Sequence, residues 1–111
     1  MPLWKCEVCG LVYEGPQPPD KCPKCGAPKE KFKQLSQQEE DLIKRSRYTN
    51  YLHMKAYTLL KELLQVAEEG IKDNLDPGCV KIFTEEKEFA LITMQKIMAE
   101  LEVHMKKGKW N

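Results

Sequence analysis

Two short cysteine pairs constrain this chain more than any other feature. Cys6-Glu7-Val8-Cys9 and Cys22-Pro23-Lys24-Cys25 are Cys-x2-Cys turns with twelve residues between them, each followed by glycine, Gly10 and Gly26. A Cys-x2-Cys turn brings two thiolates to one side of a tight loop, and two facing loops supply four sulfurs in a tetrahedron. Soft thiolates in that geometry select zinc or a sulfur-ligated iron. The competing arrangement is a pair of disulfides. Nothing else in the sequence suggests secretion, and a bridge within Cys-x2-Cys is a habit of catalytic redox sites. Cys6, Cys9, Cys22 and Cys25 are therefore the expected metal ligands. Cys79, the fifth cysteine, is left over and reads as a loop or core thiol.

The rest of the composition narrows the partners. Lys and Arg number 18 against 17 Asp and Glu, and the balance holds in each third of the chain. That offers no electrostatic case for nucleic acid or an anionic membrane surface. No apolar run is long enough to span a bilayer. Met1-Pro2-Leu3-Trp4 runs straight into the first ligand with no apolar leader segment. Free thiols paired for metal then point to a reducing, cytoplasmic setting. With 111 residues, one domain or two very small ones are expected.

Residues 1–33 read as a metal module. Trp4 to Val8 and Leu11 to Glu14 alternate well enough for two short strands around the first turn. Gly15-Pro16-Gln17-Pro18-Pro19-Asp20 is loop chemistry. Trp4, Tyr13 and Phe32 are the expected aromatic wall around the site. So short a segment cannot bury enough surface to fold alone, and metal binding must supply much of its folding free energy.

These residues resemble a known family. Trp4-Lys5-Cys6-Glu7-Val8-Cys9-Gly10-Leu11-Val12-Tyr13-Glu14-Gly15, then Pro19-Asp20-Lys21-Cys22-Pro23-Lys24-Cys25-Gly26-Ala27-Pro28-Lys29 and Phe32, are similar to the rubredoxin-like domain of rubrerythrins over about residues 3–33. The resemblance implies a mononuclear tetrathiolate iron, one per chain, cycling between Fe(III) and Fe(II). It implies Cys6, Cys9, Cys22 and Cys25 as ligands, one for one, with backbone N–H groups around Gly10 and Gly26 tuning the potential. Zinc is the alternative metal, since zinc ribbons use similar pairs.

Residues 34–111 read as an antiparallel helical hairpin. Ser36-Gln37-Gln38-Glu39 is a capping box, and a helix is expected from there to about Glu69. Lys44-Arg45-Ser46-Arg47-Tyr48-Thr49-Asn50, poor in helix formers, is expected to break it. Leu52, Ala56, Leu59, Leu63 and Val66 form one seam, and His53, Tyr57, Leu60, Leu64 and Ala67 form a second beside it. Gly70 reads as the C-cap and Thr84 as the cap of a second helix ending at Gly108. There Ala90, Met94, Ile97, Leu101 and His104 make the apolar line, flanked by Leu91, Met98 and Met105. Faces this wide need more than one neighbour, so a homodimer completing a four-helix bundle is expected, or docking onto a larger partner.

Rubrerythrins pair their rubredoxin-like domain with a di-iron bundle that reduces peroxide. That bundle needs carboxylates on facing helices and Glu-x-x-His. Here Glu62-Leu63-Leu64-Gln65 has Gln in the histidine's place, and His53 and His104 follow Asn50 and Leu101. The metal module also comes first, and two long helices follow rather than four. The expected function is therefore a one-electron carrier serving a partner redox protein, not an enzyme in its own right. The alternatives are a zinc-stabilised interaction module and, third, a di-iron peroxidase. His53 and His104 lie roughly level and are expected to be hydrogen-bonded interface histidines.

Overall fold

The computed structural model describes all 111 residues. A small sheet precedes two long helices. Its strands are β1 (Leu3–Cys6), β2 (Val12–Glu14) and β3 (Phe32–Gln34), followed by α1 (Gln37–Asp73) and α2 (Pro77–Lys106). A single 3-10 turn, Lys29–Lys31, leads into β3. The chain forms two compact units, Met1–Arg47 with Gly108–Asn111, and Tyr48–Lys107. No helix is long and apolar enough to cross a membrane.

In the first unit β1 is central and pairs antiparallel with both neighbours in the order β2-β1-β3. Leu3, Trp4 and Lys5 face Glu14, Tyr13 and Val12, while Trp4, Lys5 and Cys6 face Gln34, Lys33 and Phe32. Alternation along β1 sends Leu3 and Cys6 into two different clusters. Leu3 packs with Leu35, Ile43 and Val12. Cys6 joins Cys22 and Phe32, with Trp4 and Tyr13 packed against them, so the expected aromatic wall is present. Trp4 Nε1 donates to the Gly15 carbonyl at 2.9 Å, which ties the proline-rich loop to β1.

The capping box forms as the sequence requires. Glu39 N donates to Ser36 Oγ at 3.1 Å, and Ser36 N donates to Glu39 Oε1 at 3.0 Å. The amide of Ser36 holds the Glu39 carboxyl below the usual carboxylate range. The expected break at Lys44–Asn50 does not occur. Polar side chains there are satisfied without leaving the helix: Ser46 Oγ donates to the Leu42 carbonyl at 2.7 Å, Lys44 reaches Glu40 at 2.7 Å, and Arg47 Nε donates to the Asn111 carbonyl at 2.8 Å. Ile43, Ser46 and Asn50 are all buried along this stretch, and burial outweighs weak helix propensity.

The second unit is the hairpin. His104 Nδ1 lies 2.6 Å from Asn50 Oδ1 at one end, and Phe83 covers Gly70 at the other, so the helices run antiparallel. Gly70 is not a C-cap. It lies inside α1 because its missing side chain admits the Phe83 ring, and the helix ends three residues later, where Asn74 takes φ 52°. Thr84 is not a cap either. Asp76 accepts from the Cys79 amide at 2.7 Å, Pro77 follows at the first turn, and α2 begins there. Thr84 lies inside α2, donating to the Val80 carbonyl. Val80, Ile82 and Phe83 are thus helical, within the first two turns of α2. Gly108, at φ 72°, stands just past the end of α2 as expected.

The apolar line of α2 is buried as read: Ala90, Met94, Ile97, Leu101 and His104. Met98 and Met105, expected beside it in the core, are about half exposed. On α1 the second seam turns inward, with Ala67 buried and His53, Tyr57, Leu60 and Leu64 half-buried, while Leu52, Leu59 and Val66 of the first seam stay open.

Two substitutions test these local arguments. Gly70→Ala should destabilise the protein by roughly 1–3 kcal/mol, because the new methyl group meets the Phe83 ring and overpacking outweighs the gain in helix propensity. Ser36→Ala should cost about 1 kcal/mol through the lost cap. Urea unfolding followed by circular dichroism measures both.

Candidate metal centre

The two cysteine turns have the same construction. In the first, Cys6 N donates to the Leu11 carbonyl and Gly10 N to the Cys6 carbonyl, both at 2.8 Å. In the second, Cys22 N donates to the Ala27 carbonyl and Gly26 N to the Cys22 carbonyl, again at 2.8 Å. Gly10 and Gly26 take φ 83° and 77°. That left-handed backbone closes each turn, and only glycine adopts it without strain. The glycine amides therefore serve the carbonyls of the turns, while other amides reach the sulfurs. Those of Cys9 and Val8 donate to Cys6, those of Cys25 and Lys24 to Cys22, and that of Ala27 to Cys25.

The facing turns place the sulfurs of Cys6, Cys9, Cys22 and Cys25 all within 4.8 Å of one another. Cys6 Sγ and Cys25 Sγ are 3.7 Å apart, and Cys9 Sγ and Cys22 Sγ are 3.6 Å apart. A metal–sulfur bond of about 2.3 Å gives a tetrahedral edge of about 3.8 Å, so the donor set fits a tetrahedral thiophilic metal. All five cysteines are free thiols. The first cysteine of each turn, Cys6 and Cys22, is buried; Cys9 is half-buried and Cys25 exposed.

Crowding separates the thiols electrostatically. The Cys9 amide, opposed by burial and helped by the Val8 amide, holds Cys6 below the ordinary thiol range. Burial pushes Cys22 up, but the amides of Cys25 and Lys24 and the Cys9 thiol outweigh it and bring Cys22 down to about 6. The Ala27 amide pulls Cys25 down, yet burial and contact with Cys22, Cys9 and Cys6 push it up to about 12. Four thiolates cannot share this volume without a cation to neutralise them.

Cys79 stands apart in the first turn of α2, where Asp76 pushes its thiol up. His53 and His104 belong to the hairpin. Their rings meet edge-on with centroids 6.2 Å apart, and His104 Nε2 lies 3.4 Å from Glu100 Oε1. His104 thus has a polar partner at each ring nitrogen. Asn50, its buried partner, stands in the sequence within a weak helical stretch and three residues before His53. A polar residue one turn before His53 gives no separate indication in the sequence.

Comparisons with known proteins agree with the geometry at the N-terminus. Residues 4–33 match the family model described as the rubredoxin-like domain of rubrerythrin. A protein named reverse rubrerythrin-1, from Clostridium acetobutylicum, is 48% identical over 40 residues, covering 36% of this chain and 22% of that protein. A protein named putative rubrerythrin, from Methanocaldococcus jannaschii, is 48% identical over 29 residues, covering 26% of this chain and 14% of that protein. The chain thus spans about a fifth and a seventh of these relatives. No solved structure matches it. The N-terminal segment is a rubredoxin-like domain with a four-cysteine metal site, followed by a helical hairpin.

The thiol pattern fixes how metal uptake depends on pH. At pH 7 Cys22 is already thiolate, whereas Cys25 keeps its proton until pH approaches about 12. Metal binding at pH 7 should therefore release at least the Cys25 proton. Affinity should fall as pH drops throughout this range, through the Cys25 proton, and more steeply below about 6, where Cys22 is protonated as well. Titration calorimetry of the metal-free protein with Zn(II), in buffers of different ionisation enthalpy, counts the protons released.

Proposed function

We propose that the four-cysteine site holds one iron per chain and works as a one-electron carrier that delivers electrons to a partner redox protein. The observation that carries the reading is a closed tetrahedron of sulfurs within a domain of the rubrerythrin rubredoxin-like type. Iron in such a site supplies one-electron chemistry between its ferric and ferrous states.

The residues around the site suit that task. Four thiolates fill the coordination shell and leave no position for substrate, which favours electron transfer over bond-making. The amides of Val8, Cys9, Lys24, Cys25 and Ala27 donate to the sulfurs and stabilise the more negative, reduced state. Cys6 and Cys22 keep the inner side of the centre dry beside Phe32. Cys25, exposed, and Cys9, half-buried, bring sulfur to the surface next to the exposed Val8. A partner approaching that edge comes within direct contact of a ligand atom.

The same closed tetrahedron favours a second reading, in which zinc is a folding staple and the helices make the interactions. Metal content and colour separate the two. Protein purified without oxygen from cells grown in iron-supplied medium should carry one iron per chain. It should show visible thiolate-to-iron bands when oxidised and lose them on reduction. Protein that carries only zinc under these conditions, with no visible bands, rules out the electron-carrier reading. More than one iron per chain, reduced by replacing His53 and His104, would favour a di-iron bundle instead.

A further inference from the structure

The helical hairpin leaves one side of itself apolar on both helices. Tyr57 lines a groove with Leu91, Met94 and Met98, which marks one side of the antiparallel pair. At about 100° per residue, Leu52, Leu59 and Val66 fall on the opposite flank of α1 from Tyr57. By the same count, Ile82, Phe89 and Val103 fall on the opposite flank of α2 from Leu91 and Met98. In an antiparallel pair these two flanks turn to the same side, so the six side chains share one face. Each is between 36% and 59% exposed. The groove side differs: its α1 flank mixes Met54 and Tyr57 with Lys61, Gln65 and Glu68, so charged and polar side chains interrupt the apolar surface there.

We propose that this face, Leu52, Leu59 and Val66 with Ile82, Phe89 and Val103, is where a second copy of the chain docks to complete a four-helix bundle. The area fits. Six side chains about half exposed offer roughly 500–600 Å² of apolar surface per copy. A standard interface buries about 800 Å² per partner, of which roughly 60% is apolar. The flanks fit a copy rather than a strongly charged partner, because they carry both signs. Asn50 with His104, and Gly70 with Phe83, define which residues of the two helices stand level. A two-fold copy that sets α1 against its partner's α2 at those levels places Lys55 near Glu100 and Glu69 near Glu85, one attractive and one repulsive pair, so the apolar area supplies the attraction. The proposal is independent of which metal the cysteines hold.

Light scattering and sedimentation of the metal-loaded chain at tens of micromolar test it. The expected result is twice the chain mass, falling to the single-chain mass on dilution. The double variant Leu59→Lys, Phe89→Lys should run at single-chain mass with its helical circular dichroism retained, while Met98→Lys on the groove side should stay at double mass. A wild-type chain of single mass at this concentration overturns the proposal. So does a double-mass chain that Met98→Lys dissociates and the face variant leaves intact. Should the double variant lose its helices, the single variants Leu59→Lys and Phe89→Lys decide: each should shift the chain toward single mass with its helices retained, and a double mass unchanged in both counts against this face.

Discussion

Gathering four sulfurs within 4.8 Å is the constraint on which the first unit rests. Thiolates at this distance repel one another, and thiols at this distance must share protons. The divergence between Cys22, brought down to about 6, and Cys25, pushed up to about 12, is the signature of that conflict. A divalent or trivalent cation resolves it. The conflict is also built into the core, because Cys6 and Cys22 are themselves core residues packed on Phe32. Three strands of three or four residues supply little other burial, so the metal does work that a larger hydrophobic core does elsewhere.

Much of this was legible in the sequence, for identifiable reasons. Ligand spacing is a local property, so the cysteine pairs, their glycines and the capping box at Ser36 could be read directly. The buried line of α2 was legible because five residues repeat at helical spacing. β3 was not, since Phe32–Gln34 has one buried residue and two charged or polar ones, and only pairing with β1 makes it a strand. The unbroken α1 was also hidden. Lys44–Asn50 looks like a breaker until Ser46 and Asn50 are seen buried and the neighbouring charges paired. At the start of α2, Asp76-Pro77-Gly78 suits a turn as well as a helix start, and only the cap from Asp76 to the Cys79 amide decides between them.

The two seams of α1 illustrate how far periodicity carries. It predicted two adjacent apolar lines and the need for more than one neighbour, and it could not say which line the chain would cover itself. The structure assigns the inner role to the line ending at Ala67, the smallest side chain in either seam's final turn. A small residue there lets the helices approach closely, while Val66 beside it stays on the outer side, more than half exposed.

The close approach of Phe83 to Gly70 has a mechanical consequence. Gly70 is the only glycine in α1, so the ring finds a socket at one height along that helix and nowhere else. A slip of α2 by one turn would drive the ring against Ala67's neighbours or past the end of the helix. The pair acts as a detent: the hairpin has a single axial setting, fixed near its turn. The buried Asn50–His104 hydrogen bond at the far end of the hairpin can then be made at 2.6 Å without any adjustment of its own.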